Sequence, residues 1–119
     1  MTRRTERVNE LLRAEVSEVL QRDVKDPRLS LMVSVTEVSV SPDLKTARVY
    51  LSVMGDETEK ENVFRALRTA APFVRRTLRP RLSSLRYVPD LVFLPDLSIE
   101  RGARLSALID EVAGTEHSH

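Results

Sequence analysis

The sequence has no cysteine and no tryptophan, only three glycines among its 119 residues, and no uninterrupted apolar run that approaches a membrane span. Without cysteine there is no disulfide framework, no thiolate nucleophile and no sulfur metal site. A membrane helix needs about 20 consecutive apolar residues, so nothing in the chain reads as a span. The N-terminus, MTRRTERVNELLRAEV, mixes arginine with glutamate and lacks the apolar core of a secretory signal. A cytoplasmic protein is expected.

Other absences bear on catalysis. The glycines are Gly55, Gly102 and Gly114, too few and too scattered for a phosphate-binding loop or a dinucleotide fingerprint. His117 and His119 are the only histidines and both lie at the C-terminus. No paired carboxylates stand out as an acid and base, and no clustered spacing suggests a carboxylate metal site. We therefore expect no enzyme: no catalytic residue, no metal and no cofactor.

What is present is arginine, unevenly placed. Residues 62 to 89 contain seven arginines (Arg65, Arg68, Arg75, Arg76, Arg79, Arg81 and Arg86) and no acidic residue, whereas residues 96 to 119 contain five acids. The formal net charge of +1 is thus a sum of opposed regions. Such asymmetry points to a polyanionic partner.

The length, with 41% hydrophobic and 31% charged residues, fits one globular domain. Apolar residues at helical spacing predict a first helix over 4 to 22, ended by Asp26-Pro27. Residues 31 to 41 alternate like a strand, but the apolar parity switches between 31/33/35 and 38/40. One extra residue near Thr36 or Glu37 would do this, so a β-bulge is expected there. A turn at SPDL, 41 to 44, leads into a second strand over 45 to 54, and the pair reads as a hairpin.

Thr58 and Glu61 match a capping box at the start of the next helix. Two helices are expected to flank Pro72, followed by a short strand at 90 to 94. Ser98 would cap a last amphipathic helix carrying Ile99, Leu105, Leu108, Ile109 and Val112. The predicted architecture is α+β: a three-stranded sheet with helices on one face, forming one domain over 1 to 114, with a mobile tail at 115 to 119.

On a helical wheel Arg65, Arg68, Arg75, Arg76 and Arg79 share an arc of about 100°, opposite Val63, Leu67, Ala70, Ala71, Val74 and Leu78. Pro72 costs roughly 3 kcal/mol inside a straight helix, which favours two helices meeting at a bend with Pro72 first in the second. That bend would present free N–H groups to a phosphate. Arginine suits the same guest, because its planar fork binds phosphate bidentately and stacks on exposed bases. A basic helical face is often mere solvated surface. Such a face usually mixes signs to gain i,i+4 pairs, however, and this one has no acids.

Lys25 and Arg28 either extend the basic patch or pair with Asp23 and Asp26. Arg48 and Tyr50 occupy the outward parity of the second strand. Phe64, Phe73 and Phe93 are expected in the core, leaving few rings to stack on bases and favouring backbone and shape recognition.

Residues 4 to 113 closely resemble the ribosome-binding factor A family of bacterial ribosome-assembly proteins. The resemblance rests on VKDPRL at 24 to 29, the hairpin with Ser41 and Asp43 at its turn, ALRTAAPFVRRTLRPRL, and VPDLVF at 88 to 93. It implies a KH-like fold of the second type, with a helix-kink-helix in place of the glycine-rich loop of ordinary KH domains. The kink aligns with Ala70, Ala71 and Pro72, so proline stands where the family has glycine, which weakens backbone clamping and shifts recognition toward the arginines.

Nothing in the sequence demands a dimer, and a monomer is expected; the resemblance further implies binding to 16S rRNA in free small ribosomal subunits. It would assist late maturation, including 5′-end processing of the precursor and growth in the cold, and be released with the help of an assembly GTPase. A different reading is a protein-interaction module, with the first helix or the acidic last helix as interface and the arginines facing an acidic protein. Exposed apolar surface on the first helix would favour that second reading.

Overall fold

A computed structural model describes residues 3–97 of the chain. The predicted last helix and the C-terminal tail lie outside the described residues.

The first amphipathic pattern forms α1, Arg3–Glu18, which buries Val8, Leu12 and Val16. The chain then widens into a single π-helical stretch, Val19–Asp23, that buries Val19 and Leu20. Asp26-Pro27 ends this helix as expected, but it also begins another. Pro27 is the first residue of α2, Pro27–Leu31, and the Asp26 carboxylate caps it by accepting from the Arg28 N–H at 3.0 Å. Proline is tolerated at a first helical position because that N–H would be unpaired anyway.

The Arg28 guanidinium also donates to both Asp26 oxygens, at 3.1 and 2.8 Å, and holds the Asp26 carboxyl below the usual carboxylate range. A carboxyl lowered in the folded state contributes stability that is present above its unfolded pKa of about 3.9 and lost as pH falls through the folded value. Asp26→Ala should therefore lower stability at neutral pH by about 1 kcal/mol, the usual worth of an N-cap. Urea melts should show the variant and the parent converging once pH drops below the range where Asp26 ionises.

Strands β1, Val33–Val40, and β2, Thr46–Val53, pair antiparallel. The register jumps between Val35 and Glu37, so Thr36 is the extra residue of the expected bulge. Its hydroxyl donates to the Tyr50 carbonyl at 3.2 Å, giving the broken ladder a local replacement bond. At the hairpin tip Asp43 accepts from the Ser41 hydroxyl at 2.6 Å and from the Lys45 N–H at 3.0 Å, while Leu44 adopts a left-handed φ of 61°. The Ser41 hydroxyl, ahead of the Lys45 N–H, holds the Asp43 carboxyl below its ordinary value.

Gly55, at φ 118°, turns the chain into α3, Glu57–Leu78. A Cβ there would lie 2.9 Å from the Glu59 Cβ. The capping box at this helix start is two residues earlier than Thr58/Glu61: Glu59 donates its N–H to Asp56 at 2.8 Å and Asp56 donates its own to Glu59 at 3.1 Å. Two overlapping matches exist in DETEKE, and the carboxylate of Asp56 has the added advantage of the helix dipole.

Strand β3, Asp90–Pro95, follows a 3-10 turn at Arg79–Leu82 and lies parallel to β2, giving sheet order β1-β2-β3. A parallel neighbour needs a long crossover, and α3 supplies it. Val38, Val40, Ala47, Val49, Leu51 and Phe93 point into the core with α1 and α3, while Arg48 and Val92 are exposed on the other face. Among the described residues the helices thus cover one side of the sheet. Asn9 of α1 ties down the sheet edge by accepting from the Val40 N–H at 2.8 Å.

Candidate nucleic-acid interface

The expected pair of helices at Pro72 is a single helix. α3 runs 22 residues without interruption, with Ala70, Ala71 and Pro72 inside it, so no second helix start with free N–H groups forms there. Magnitudes explain why. Val63, Leu67, Val74 and Leu78 lie on one face to either side of Pro72 and are all 0–1% exposed. Each buried side chain of this kind stabilises by roughly 1.5–3 kcal/mol, against about 3 kcal/mol for one internal proline. Pro72 itself is exposed, so the Arg68 carbonyl that it leaves without a helical donor is on the solvent side.

One continuous helix, with Arg79 as its C-cap, then carries five of the arginines, and the roles of the seven divide. Arg65, Arg68, Arg76 and Arg79 are exposed. None of Arg68, Arg76 and Arg79 forms an ion pair with another described residue, and Arg65 has only a 3.5 Å contact to the Asn62 side chain. Arg86, beyond the 3-10 turn, is likewise exposed.

Arg75 and Arg81 turn inward. Arg75 donates to the carbonyls of Val88 at 2.8 Å and Pro89 at 3.2 Å, and lies 3.4 Å from Asp90. It pins the entry of β3 to α3. Arg81 donates to Asp23 at 2.8 Å and lies 3.6 Å from Glu15 and 3.5 Å from Glu18, joining the end of α3 to α1 and its π-helical extension. The acids absent from residues 62 to 89 are supplied to these two arginines from elsewhere in the chain.

At the other end of the helix a hollow of about 340 Å³ between α2 and α3 is lined by Arg28, Asn62, Arg65 and Thr69. It brings the α2 segment beside the arginine face. Arg28 is already paired with Asp26, whereas Lys25 is exposed. The exposed cations therefore run from Lys25 past Arg65 and Arg68 to Arg76 and Arg79.

The three phenylalanines also separate. Phe93 is buried and Phe64 half-buried, but Phe73 is 38% exposed and is not a core residue. The wheel already held the signal, since Phe73 stands about 100° from Val74 at the centre of the apolar stripe. Its hydrophobicity was the wrong guide.

No helix among the described residues is long and apolar enough to cross a membrane. No group of three or more histidine or acidic residues there is placed to hold a metal ion.

A family model described as Ribosome-binding factor A matches residues 4–109. A protein of that description from Acetivibrio thermocellus is 48% identical over 110 residues, covering 92% of this chain and 89% of the relative. Another, from a Synechococcus strain, is 47% identical, with 95% and 78% covered. Among solved structures, the crystal structure of ribosome-binding factor A from Thermus thermophilus superimposes with a TM-score of 0.67 at 31% identity, covering 76% of this chain and 94% of that one. A Thermus thermophilus RbfA homology model fitted into a cryo-EM map of a 30S-RbfA complex gives a TM-score of 0.61 at 30% identity, covering 75% and 91%.

Proposed function

The chain belongs to the ribosome-binding factor A family, and from that premise we propose that it docks on small-subunit ribosomal RNA through the exposed cations of α3 and its flanks. The observation that carries this reading is the split among the arginines. Where the fold needs a cation, Arg75 and Arg81 are tied to acceptors; Arg68, Arg76 and Arg79 hold their charge outward with no acid among the described residues to meet it. A relative fitted into a 30S complex supports a ribosomal partner for such a surface.

In this reading Arg65, Arg68, Arg76, Arg79, Arg86 and Lys25 contact phosphate, and Arg28 contributes only by exchanging Asp26 for RNA. Arg75 and Arg81 position the elements that carry the others. The chain would act as a monomer without catalysis of its own, binding 16S rRNA in free small subunits and favouring late maturation, including trimming of the precursor 5′ end and growth in the cold. An assembly GTPase would drive release.

The alternative, a protein-interaction module built on the first helix, loses its main support: among the described residues α1 exposes no large apolar side chain. Salt distinguishes the readings. If each of those six cations neutralises one phosphate, log affinity should fall with a slope between about −4 and −5.5 against log salt. Sedimentation of a lysate through sucrose gradients at low and high salt checks the partner: co-migration with free small subunits, stripped by salt, is expected. A protein that stays at the top of both gradients would overturn the ribosomal reading.

A further inference from the structure

We infer that Phe73 is a stacking platform for an unpaired base, which gives the arginine face a preference for single-stranded or bulged RNA over continuous duplex. The inference rests on the RNA-binding reading and adds the class of RNA that the surface selects.

The chain has five aromatic rings, three phenylalanines and two tyrosines. Phe93 is in the core, Phe64 on α3 and Tyr50 on β2 are half-buried, and Tyr87, exposed but off the helix, donates its hydroxyl to the Asp43 carbonyl at 3.3 Å at the hairpin tip. Phe73 alone puts an exposed ring on the helix that carries the exposed arginines. A single exposed apolar side chain on a surface needs no explanation in itself. The setting of this one differs.

Arg76 lies three residues on and Thr69 four residues back, which are the neighbours a helical side chain meets on its own face. Pro72 beside it is exposed and apolar. The hydroxyls of Thr69 and Thr77 donate to helix carbonyls, those of Arg65 at 3.1 Å and Phe73 at 2.9 Å, so both hydroxyl hydrogens are already engaged within the helix. An exposed apolar ring with an exposed arginine, unpaired among the described residues, three residues along the same helix matches a splayed-out nucleotide, whose phosphate needs a cation and whose base needs a flat partner. A paired base inside a duplex exposes no face to meet it. Because every base has a π-face, the preference is for strandedness and not for sequence.

The test compares wild type, Phe73→Leu and Phe73→Trp on a short unstructured RNA strand and on the same strand annealed to its complement. Stacking contributes about 1–3 kcal/mol per base, so Phe73→Leu should bind the single strand roughly 5- to 150-fold more weakly, with little change on the duplex and an unchanged salt slope. Phe73→Trp should retain binding. Since the chain contains no tryptophan, its emission should report the site alone and be quenched by the single strand and not by the duplex. Phe73→Leu binding the single strand like wild type, equal losses on both RNAs, or an unquenched tryptophan at saturation would each remove the platform and leave the arginine surface standing. Wild type that binds neither RNA would remove both readings. Circular dichroism of Phe73→Leu should match the parent, as expected for an exposed position.

Discussion

Replacing Arg68, Arg76 and Arg79 together with glutamate should abolish binding to small ribosomal subunits while leaving the fold intact. The three guanidiniums are exposed and unpaired among the described residues, so no native contact is broken. What changes is the field. Like charges set against phosphate cost several kcal/mol, and each 1.4 kcal/mol is a tenfold change, so affinity should drop by at least about a hundredfold. Arg76 lies in the last turn of α3 and Arg79 is its C-cap, where an acid opposes the helix dipole; about 0.3–1 kcal/mol of stability should be lost at each.

Two controls make this result interpretable. The neutral triple glutamine variant should fall between wild type and charge reversal in affinity and show a shallower salt slope, because phosphate contacts are removed without repulsion. Arg75→Glu should behave differently, losing stability first. It leaves the Val88 and Pro89 carbonyls without their donor and sets a carboxylate beside Asp90. If the triple reversal still co-sediments with small subunits at low salt, the arginine face of α3 is not the docking surface.

The second large effect is expected at Arg81, and it is one of stability. Arg81→Ala leaves Asp23, Glu15 and Glu18 facing one another without the cation that gathers them, and unfastens the end of α3 from α1. Those side chains are 25–43% exposed, so solvent screens the pairs and the cost should be about 1–3 kcal/mol, below that of a fully buried pair. For a chain of this size each kcal/mol shifts Tm by about 4 °C, so a fall of about 4–12 °C is expected by calorimetry. Arg81→Lys should recover part of it, since one ammonium cannot serve three carboxylates with the reach of a guanidinium. At a temperature where Arg81→Ala is folded, its RNA affinity should stay near wild type, opposite in pattern to the triple reversal. A loss of RNA binding without a loss of Tm would reverse the role assigned to Arg81.

Much of the fold is legible in the residues because it depends on local periodicity. The parity switch between Val35 and Val38 places the bulge, and the structure puts it at Thr36, since the same residues cannot face the core on both sides of that point without an extra one. The helical stripe of Val8, Leu12 and Val16 and that of Val63, Leu67, Val74 and Leu78 are buried as their spacing requires. Aspartate before proline at position 26 marks a boundary correctly and hides that the boundary starts a helix as well as ending one.

Where local rules competed, they misled. Pro72 has a penalty that can be read from one residue, but the gain that outweighs it comes from four side chains meeting a sheet and a helix that are distant in sequence. The capping box could begin at Asp56 or at Thr58, and both satisfy the same pattern. Phe73 is apolar, yet its place on the wheel puts it outside the buried stripe.

By itself the amino-acid sequence determined the class of the molecule: an α+β fold with an acid-free, arginine-rich stretch over residues 62 to 89, no thiol chemistry and membership of a ribosome-binding family. Composition, periodicity and motif spacing are properties of neighbours along the chain, and they survive without knowledge of the fold. Only the tertiary structure decided which arginines are free. The seven arginines of residues 62 to 89 carry the same charge and have no acid within that stretch to tell them apart. Asp23, Glu15, Glu18 and Asp90, and the carbonyls of Val88 and Pro89, remove Arg75 and Arg81 from the solvent-facing set, because folding brings acceptors from other elements within about 3–4 Å, the range in which a guanidinium commits to a partner.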